Sequence, residues 1–186
     1  MQFEKIETFD IDGLVLITPK VFGDSRGFFK ETYSKQDFEK ELGIKIDFVQ
    51  DNYSRSGKEI LRGLHWQTEP KAQDKLVRVA RGKLIDIAVD IRKNSPTFGQ
   101  HVAVELSDEN HKIFFVPKGF AHGFLTLTDI VDFEYKVSNY YSPDHERGVA
   151  WNDPDLNIKW DTKHPILSDK DTRNPLLKDI PQKDLF

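Results

Sequence analysis

An alternation of apolar and polar residues with a period of two runs through the middle of the sequence and constrains its fold more than any other feature. The segment "KLIDIAVDI" sets its apolar side chains on one face against Asp86 and Asp90, and "VDFEYKV" puts Tyr135 on the same face as Val131 and Phe133. Such alternation is typical of β-strands. Turn-forming stretches such as "NSPTFG" and "SDEN" separate these segments, so the sequence predicts a β-sandwich or β-barrel.

One short helix is predicted beside the strands. Ser34 is a suitable N-cap, Asp37 lies in the first turn, Phe38 and Leu42 lie four residues apart on one side, and Gly43 ends the helix. We expect this helix to be peripheral.

The length of 186 residues allows one hydrophobic core and requires no second domain. We therefore expect residues 1–186 to form a single domain. The chain from about residue 154 onward is rich in Asp, Lys and Pro, lacks strong periodicity, and is predicted to wrap the barrel as a C-terminal extension.

Composition argues against several classes of function. The 27 Lys and Arg residues against 31 Asp and Glu residues give a formal net charge of -4, which disfavours binding to nucleic acid or to an acidic membrane. The absence of cysteine removes disulfides, thiolate metal sites and cysteine nucleophiles. The start "MQFEKIETFDIDG" is acidic where a signal peptide is apolar, and no later stretch is apolar for long enough to span a bilayer. We expect a soluble, cytoplasmic protein.

Six histidines raise the question of a metal site. A cupin-type site needs a His-x-His pair on a strand, then a glutamate and a third histidine. No His-x-His occurs, so no metal is predicted.

His65 in "LRGLHWQ" and His122 in "FVPKGFAHGFLTL" lie among apolar residues. Each is either a core histidine bonded to a backbone carbonyl or a base whose tautomer is fixed by a carboxylate, for which Asp169 and Asp171 are candidates.

Four cationic residues, Arg26, Arg62, Lys75 and Lys170, stand beside residues that constrain backbone shape or burial. Guanidinium and ammonium groups are what a diphosphate needs in a chain without a glycine-rich phosphate loop. The alternative is ordinary surface charge. Tyr135 is in the same way either a core residue with one hydrogen bond or a catalytic acid.

Several segments, in their order, resemble one family closely. They are "PKVFGDSRGFFKETY", "FVQDNYSRS", "LRGLHWQ", "KLVRVARGKLIDIAVDIRKNSPTFG", "FFVPKGFAHGFL", "YKVSNYYSPDHERGVAWNDPDLNIKW" and "LSDKD". Over about residues 12 to 175 the chain resembles the dTDP-4-dehydrorhamnose 3,5-epimerases, the RmlC-like cupins. The resemblance implies a mainly β fold, an antiparallel β-barrel or jelly roll with a short peripheral helix, in a homodimer that uses no metal and no cofactor.

The implied activity is that of an isomerase of dTDP-L-rhamnose biosynthesis, which supplies cell-surface polysaccharide. Such an enzyme inverts C3 and C5 of dTDP-4-dehydro-6-deoxy-D-glucose to give dTDP-4-dehydro-L-rhamnose. By the same resemblance His65 is the base, oriented by Asp171. Tyr135 is the acid on the opposite face of the sugar, and Lys75 stabilises the enolate oxygen.

The resemblance further implies a set of residues that bind the nucleotide sugar: Arg26, Phe29, Glu31, Gln50, Asn52, Arg62, His122, Glu146 and Lys170. Arg26 and Arg62 are expected to meet phosphate, and Phe29 offers a ring for thymine to stack on. In such dimers the neighbouring subunit is expected to lend the "DSRGFFKE" region to the pocket.

Two features complicate this reading. Asp74 stands beside Lys75 where the family usually has glycine. Strand parity also puts Arg62 and His65 on opposite faces of a regular strand, so a bulge is predicted at Gly63.

Three alternatives stay open: an epimerase that inverts one centre of another 4-keto-6-deoxy sugar nucleotide, a metal-dependent cupin oxygenase, and a sugar-nucleotide binding module without catalysis.

Overall fold

The computed structural model describes residues 1–186, and antiparallel strands make up most of its regular structure. In chain order the strands are β1 (Phe3–Thr8), β2 (Val15–Pro19), β3 (Phe22–Asp24), β4 (Gly27–Phe29), β5 (Gln50–Ser56), β6 (Leu61–Gln67), β7 (Lys75–Arg81), β8 (Lys83–Asp90), β9 (His101–Ser107), β10 (Ile113–Val116), β11 (Phe120–Thr126), β12 (Val131–Val137) and β13 (Glu146–Gly148). One α-helix, α1, spans Lys35–Leu42. Short 3₁₀ helices span Pro143–His145, Asp171–Arg173, Leu177–Asp179 and Gln182–Asp184.

The strands form two sheets that face each other. One sheet has the order β1-β2-β10-β7-β12-β5, the other has the order β13-β6-β11-β8-β9, and β3 and β4 form a separate hairpin. Apolar side chains from both sheets meet between them, among them Val77, Phe114, Phe124 and Phe133. Burying a side chain of this size stabilises the fold by about 1.5–3 kcal/mol. This is the antiparallel jelly roll predicted from the sequence, and the predicted fold class is confirmed.

The predicted helix is also confirmed. The backbone N–H of Asp37 donates to Ser34 Oγ at 3.4 Å, and Gly43 adopts a left-handed conformation with φ 69°. Phe38 packs against the outer face of the first sheet with Ile17 and other apolar residues. The helix thus covers one outside surface of the barrel.

The chain after β13 covers the other outside surface. Leu156, Leu177, Ile180 and Leu185 pack with residues of β6 and β8, including Trp66. The indole Nε1 of Trp66 donates to the carbonyl of Asp184 at 2.9 Å, which ties the end of the chain to the sheet. No helix in the structure combines the length and the apolar character that crossing a membrane would take.

Strand β8 has two buried faces as a result. Ile87 and Val89 lie on the face that packs on the C-terminal segment, as the alternation predicts. The face that carries Asp86 is equally buried, because Leu84 and Ala88 on that face belong to the core between the sheets. Asp86 was not predicted to be an interior carboxylate, since alternation alone does not tell which face of a central strand is covered.

Candidate active site

A cavity of about 530 Å³ opens between the two sheets. Strands β6 and β11 form one wall, and β5, β7 and β12 form the other, while β13 and the C-terminal segment close the rim. The cavity brings together a group of residues predicted from the sequence: Arg62, His65, Lys75, His122, Tyr135, Glu146, Lys170 and Asp171.

A bulge in β6 lets Arg62 and His65 face the same cavity. His65 pairs with His122 on β11, but Arg62 pairs with Phe124, so three steps along β6 match two steps along β11. Gly63 lies at the bulge with φ 124°. A Cβ atom there would lie 2.6 Å from the Cα of Gly123, so only glycine fits. The bulge predicted at this residue is confirmed.

His65 is oriented by a carboxylate that comes from the C-terminal segment. Its Nε2 lies 2.5 Å from Oδ1 of Asp171, which leaves Nδ1 as the ring nitrogen available to a ligand. Burial would raise the pKa of Asp171, but hydrogen bonds from His65 and Ser168 and the charge of His65 hold this pKa below its ordinary value. An ionised carboxylate in this position fixes the imidazole tautomer, which is the requirement for a base.

The C-terminal segment reaches the cavity by pairing with the start of β6. Ile166 N–H donates to the carbonyl of Glu59 at 2.8 Å, and Leu61 N–H donates to the carbonyl of Ile166 at 3.0 Å. Ile60 and Ile166 form an isolated parallel bridge. This short pairing sets the path that carries Asp171 to His65.

Tyr135 lies on the opposite wall from His65. It is half-buried on β12 and packs beside Phe133 with ring centroids 5.7 Å apart. Burial raises the pKa of the Tyr135 phenol, and the nearby charge of Arg62 acts in the other direction. A phenol held neutral in this way is a proton donor.

Lys75 enters the cavity from the first position of β7. Its ammonium has no carboxylate within 4 Å, so it is free to bind a ligand. Burial lowers the pKa of Lys75 to about 8, and the carboxylates of Asp86 and Glu146 oppose that effect. A cation or donor of this kind suits an oxygen that gains negative charge.

Asp74 does not compete for Lys75. Its Oδ2 accepts from Ser138 Oγ at 2.8 Å, and its Oδ1 accepts from the backbone N–H of Lys118 at 3.1 Å. Both carboxylate oxygens are therefore occupied. The acidic group at the position where the family usually has glycine joins the start of β7 to the end of β12 and to the turn before β11.

His122 forms a second histidine–carboxylate pair. Its Nε2 lies 2.8 Å from Oδ1 of Asp86, and the side chain of Asp86 is wholly buried. Asp86 was not among the residues predicted for the site. The only signal in the sequence is its place in a largely apolar strand, where a carboxylate needs a partner.

Charged groups meet at the rim. Lys170 Nζ lies 2.5 Å from Oε1 of Glu146, and the hydroxyl of Tyr141 donates to Oε2 of the same carboxylate at 2.8 Å. Arg62 is exposed and donates to Ser56 Oγ at 3.2 Å. Tyr141 was also not among the residues predicted for the site, and its ring lines the rim of the cavity.

The remaining predicted residues do not line this cavity in the same chain. Arg26 and Phe29 lie on the exposed β3–β4 hairpin, where Arg26 pairs with Asp24. Glu31 contacts the amino group of Met1 at 3.0 Å. Gln50 and Asn52 lie on β5, where the amide of Gln50 donates to Oδ1 of Asn52 at 2.7 Å. Asn52 instead lines a smaller cavity of about 350 Å³ that it shares with Tyr135.

Known proteins resemble this chain in sequence and in fold. The model of the family described as dTDP-4-dehydrorhamnose 3,5-epimerase matches residues 8–179. The dTDP-4-dehydrorhamnose 3,5-epimerase of Shigella flexneri is 53% identical over 162 residues, which cover 87% of this chain and 90% of that protein.

Two solved structures are also similar. The crystal structure of the 3,5-epimerase of Legionella pneumophila in complex with dTDP-4-keto-L-rhamnose has a TM-score of 0.94 and 48% identity, over 97% of this chain and 96% of that chain. A 3'-monoepimerase of Streptomyces bikiniensis in complex with dTDP-quinovose has a TM-score of 0.85 and 33% identity, over 96% of this chain and 88% of that chain. This chain belongs to the dTDP-4-dehydrorhamnose 3,5-epimerase family, a family of isomerases.

Proposed function

We propose that this chain binds a dTDP-linked 4-keto-6-deoxyglucose in the cavity between the sheets and inverts C3 and C5 to give dTDP-4-dehydro-L-rhamnose. The single observation that carries the proposal is the placement of His65 and Tyr135 on opposite walls of one cavity. Inversion needs a base on one face of the sugar and an acid on the other, because a single group would return the proton to the face it left.

The chemistry follows from the C4 ketone. Nδ1 of His65 removes the proton beside the ketone, and the electron pair of the C–H bond forms a C=C bond while the carbonyl pair moves onto O4. The ammonium of Lys75 stabilises the enolate oxygen. When the enolate collapses, the hydroxyl of Tyr135 delivers a proton to the carbon from the opposite side. Solvent then takes the proton from His65 and returns one to Tyr135.

The cations at the rim suit the diphosphate. Arg62 and Lys170 line the cavity near its opening, and neither is enclosed. Charge-assisted bonds from such groups hold phosphate oxygens without a glycine-rich loop. His122 and Glu146 complete the set that we assign to sugar and nucleotide binding within one chain.

We further propose that the protein is a homodimer in which the β3–β4 hairpin completes the pocket of the partner. Phe28 and Phe29 on this hairpin are 60% and 65% exposed, and the Arg26 side chain is 88% exposed. Neighbouring aromatic rings left in water by their own chain indicate a contact surface. Glu31, Gln50 and Asn52 are assigned to the same shared part of the pocket. The cytoplasmic location and the single-domain organisation stay predictions.

The test is to incubate the protein with dTDP-4-keto-6-deoxyglucose in deuterated water and to follow the C3 and C5 protons by NMR. We expect exchange and inversion at both carbons. Exchange at one carbon only supports an epimerase of a single centre, and exchange at neither contradicts the proposal. His65→Gln is expected to abolish exchange, and His101→Gln, a histidine on β9 outside the cavity, is the matched control that keeps it.

A further inference from the structure

Lys75 is the first residue of β7, so the place of its ammonium group depends on how firmly a strand end is held. Its backbone lies between two neighbouring strand ends, with Val137 of β12 on one side and Val116 of β10 on the other. Its side chain lines the cavity between the sheets. Ends of elements open more readily than their middles do. A cation that projects from such an end is fixed in space only if other contacts hold the end closed.

Asp74, the residue before Lys75, joins all three strand ends. Its backbone N–H donates to Ser138 Oγ at 2.8 Å, and the Ser138 hydroxyl donates to its Oδ2 at 2.8 Å. The Ser138 N–H donates to the carbonyl of Asp74 at 3.1 Å, and the N–H of Lys118 donates to Asp74 Oδ1 at 3.1 Å. Ser138 directly follows β12, and Lys118 lies two residues after β10. We call these four hydrogen bonds the Asp74 clasp.

We propose that Asp74 is a positioning residue for Lys75, which it holds in place through the clasp. The clasp ties the backbone on the N-terminal side of Lys75 to both neighbouring strands, so the lysine side chain enters the cavity from one fixed point. Asp74 itself does not line the cavity and touches no ligand there. The inference rests on the proposed function, because the place of the Lys75 ammonium matters to turnover only if an enolate forms.

The contacts of Asp74 indicate that it acts through geometry and not through its charge. Both carboxylate oxygens accept hydrogen bonds from groups other than the neighbouring ammonium, one from a hydroxyl and one from a backbone N–H. An amide side chain could make the same two contacts. Its oxygen would accept from the N–H of Lys118, and its N–H group would donate to Ser138 Oγ, which can turn its lone pair to meet it.

The test opens the clasp and then restores it without the charge. In Asp74→Ala both side-chain contacts are lost, and kcat is expected to fall roughly tenfold, less than the 10²-fold that a full displacement of about 1 Å can cost. KM is expected to stay unchanged, because an oxygen that gains charge only in the transition state contributes little to substrate binding. Asp74→Asn keeps the geometry and is expected to keep kcat.

Two outcomes of this comparison overturn the proposal. If Asp74→Asn loses as much turnover as Asp74→Ala, the charge of the side chain is what matters and not the clasp. If Asp74→Ala unfolds more easily but keeps kcat, the clasp supports the fold and does not position Lys75.

Ser138→Ala opens the clasp from the neighbouring strand and covers the case in which Asp74→Ala does not fold. It removes the hydroxyl that binds both the N–H and the Oδ2 of Asp74. We expect the same fall in kcat, and unchanged turnover overturns the proposal. The double variant should lose no more than either single one, because the two residues act as a unit. Losses that multiply would show that they act separately, which also contradicts the clasp.

Asn110→Ala is the matched control. Asn110 makes a comparable brace in the turn between β9 and β10, where its Oδ1 accepts from the N–H groups of Ser107 at 3.1 Å and Lys112 at 3.0 Å. It lies outside the cavity. We expect this variant to be less stable and to keep kcat. An equal fall in kcat here would assign the effect to lost stability and overturn the proposal.

Amide hydrogen exchange tests the clasp without substrate. The N–H of Ser138 bonds to the backbone carbonyl of residue 74, which Asp74→Ala keeps, so its exchange reports whether the strand ends stay closed. We expect faster exchange in Asp74→Ala and no change in Asn110→Ala. Unchanged exchange in Asp74→Ala contradicts the proposal. Faster exchange in a protein that does not epimerise the sugar would refute the proposed function and leave the hold of Asp74 on the start of β7 standing.

Discussion

At the scale of single residues, burial shifts the pKa values of the two proton-bearing side chains Tyr135 and Lys75. The ring of Tyr135 lies against Phe133, and burial raises the pKa of its phenol. Lys75 is shifted in the opposite direction, to a pKa of about 8, because burial disfavours its charged form. As pH rises, Lys75 therefore loses its proton before Tyr135 does. The rate of an enolate reaction that needs the Lys75 cation should therefore fall as the pH rises through about 8.

Removal of the Tyr135 hydroxyl should separate the two halves of the reaction. In Tyr135→Phe the base His65 is intact, so deuterium from solvent should still enter the sugar with retention of configuration. Inversion should fall by roughly 10²–10⁴-fold, the usual contribution of a positioned acid. NMR of the sugar in deuterated water measures both. Inversion at the normal rate would show that another group is the acid. Tyr140→Phe, on an exposed ring outside the cavity, is the control.

Gly63 should be the most sensitive glycine near the site. In Gly63→Ala the new Cβ would lie 2.6 Å from the Cα of Gly123 at a φ that favours glycine. We expect the free energy of unfolding to fall by roughly 2–4 kcal/mol. Gly57→Ala is the matched control, since its Cβ would meet only the carbonyl of Asp129 at 3.9 Å. Denaturant unfolding measures both, and equal stabilities would contradict the role given to the bulge.

At the scale of elements, the sequence predicts best what local chemistry determines. Helix α1 was predictable because Ser34 and Gly43 cap it. The bulge in β6 was predictable because a regular strand would place Arg62 and His65 on opposite faces. The residues alone left Asp169 and Asp171 as equal candidates to orient His65. The choice depends on a backbone pairing between residues more than a hundred positions apart, which no local pattern encodes. Asp86 was missed for a similar reason, since the cover on both faces of β8 comes from distant segments.

The pairing of the C-terminal segment with β6 gives a prediction at this scale. Ile166→Pro removes the N–H that donates to the carbonyl of Glu59 at 2.8 Å. Asp171 should then lose its alignment with His65, and kcat should fall by roughly 10²-fold, as a displacement of about 1 Å at a catalytic group does. Ile166→Val keeps both backbone bonds and an apolar side chain, and should keep kcat. Unchanged turnover in Ile166→Pro would mean that Asp171 is held by its own 3₁₀ turn.

At the scale of the whole molecule, the exposed β3–β4 hairpin raises the question of whether one chain holds a complete site. The predicted residues split into two groups, one lining the cavity and one outside it, on the hairpin, just after it and on β5. Arg26 and Phe29 belong to the second group, and both are exposed in their own chain. A two-fold dimer that exchanges hairpins would unite the groups twice, once in each pocket.

Hybrid dimers test this exchange directly. One chain carries His65→Ala, the other carries Arg26→Ala with Phe29→Ala, and each alone should be nearly inactive. After random reassociation, half of the dimers are mixed, and each mixed dimer has one pocket with every defect and one with none. About a quarter of normal turnover should therefore return. If each chain holds a complete site, every pocket keeps a defect whatever its partner, and mixing should restore nothing. Sedimentation of the unmixed protein provides the control, since the exchange requires a mass twice that of one chain.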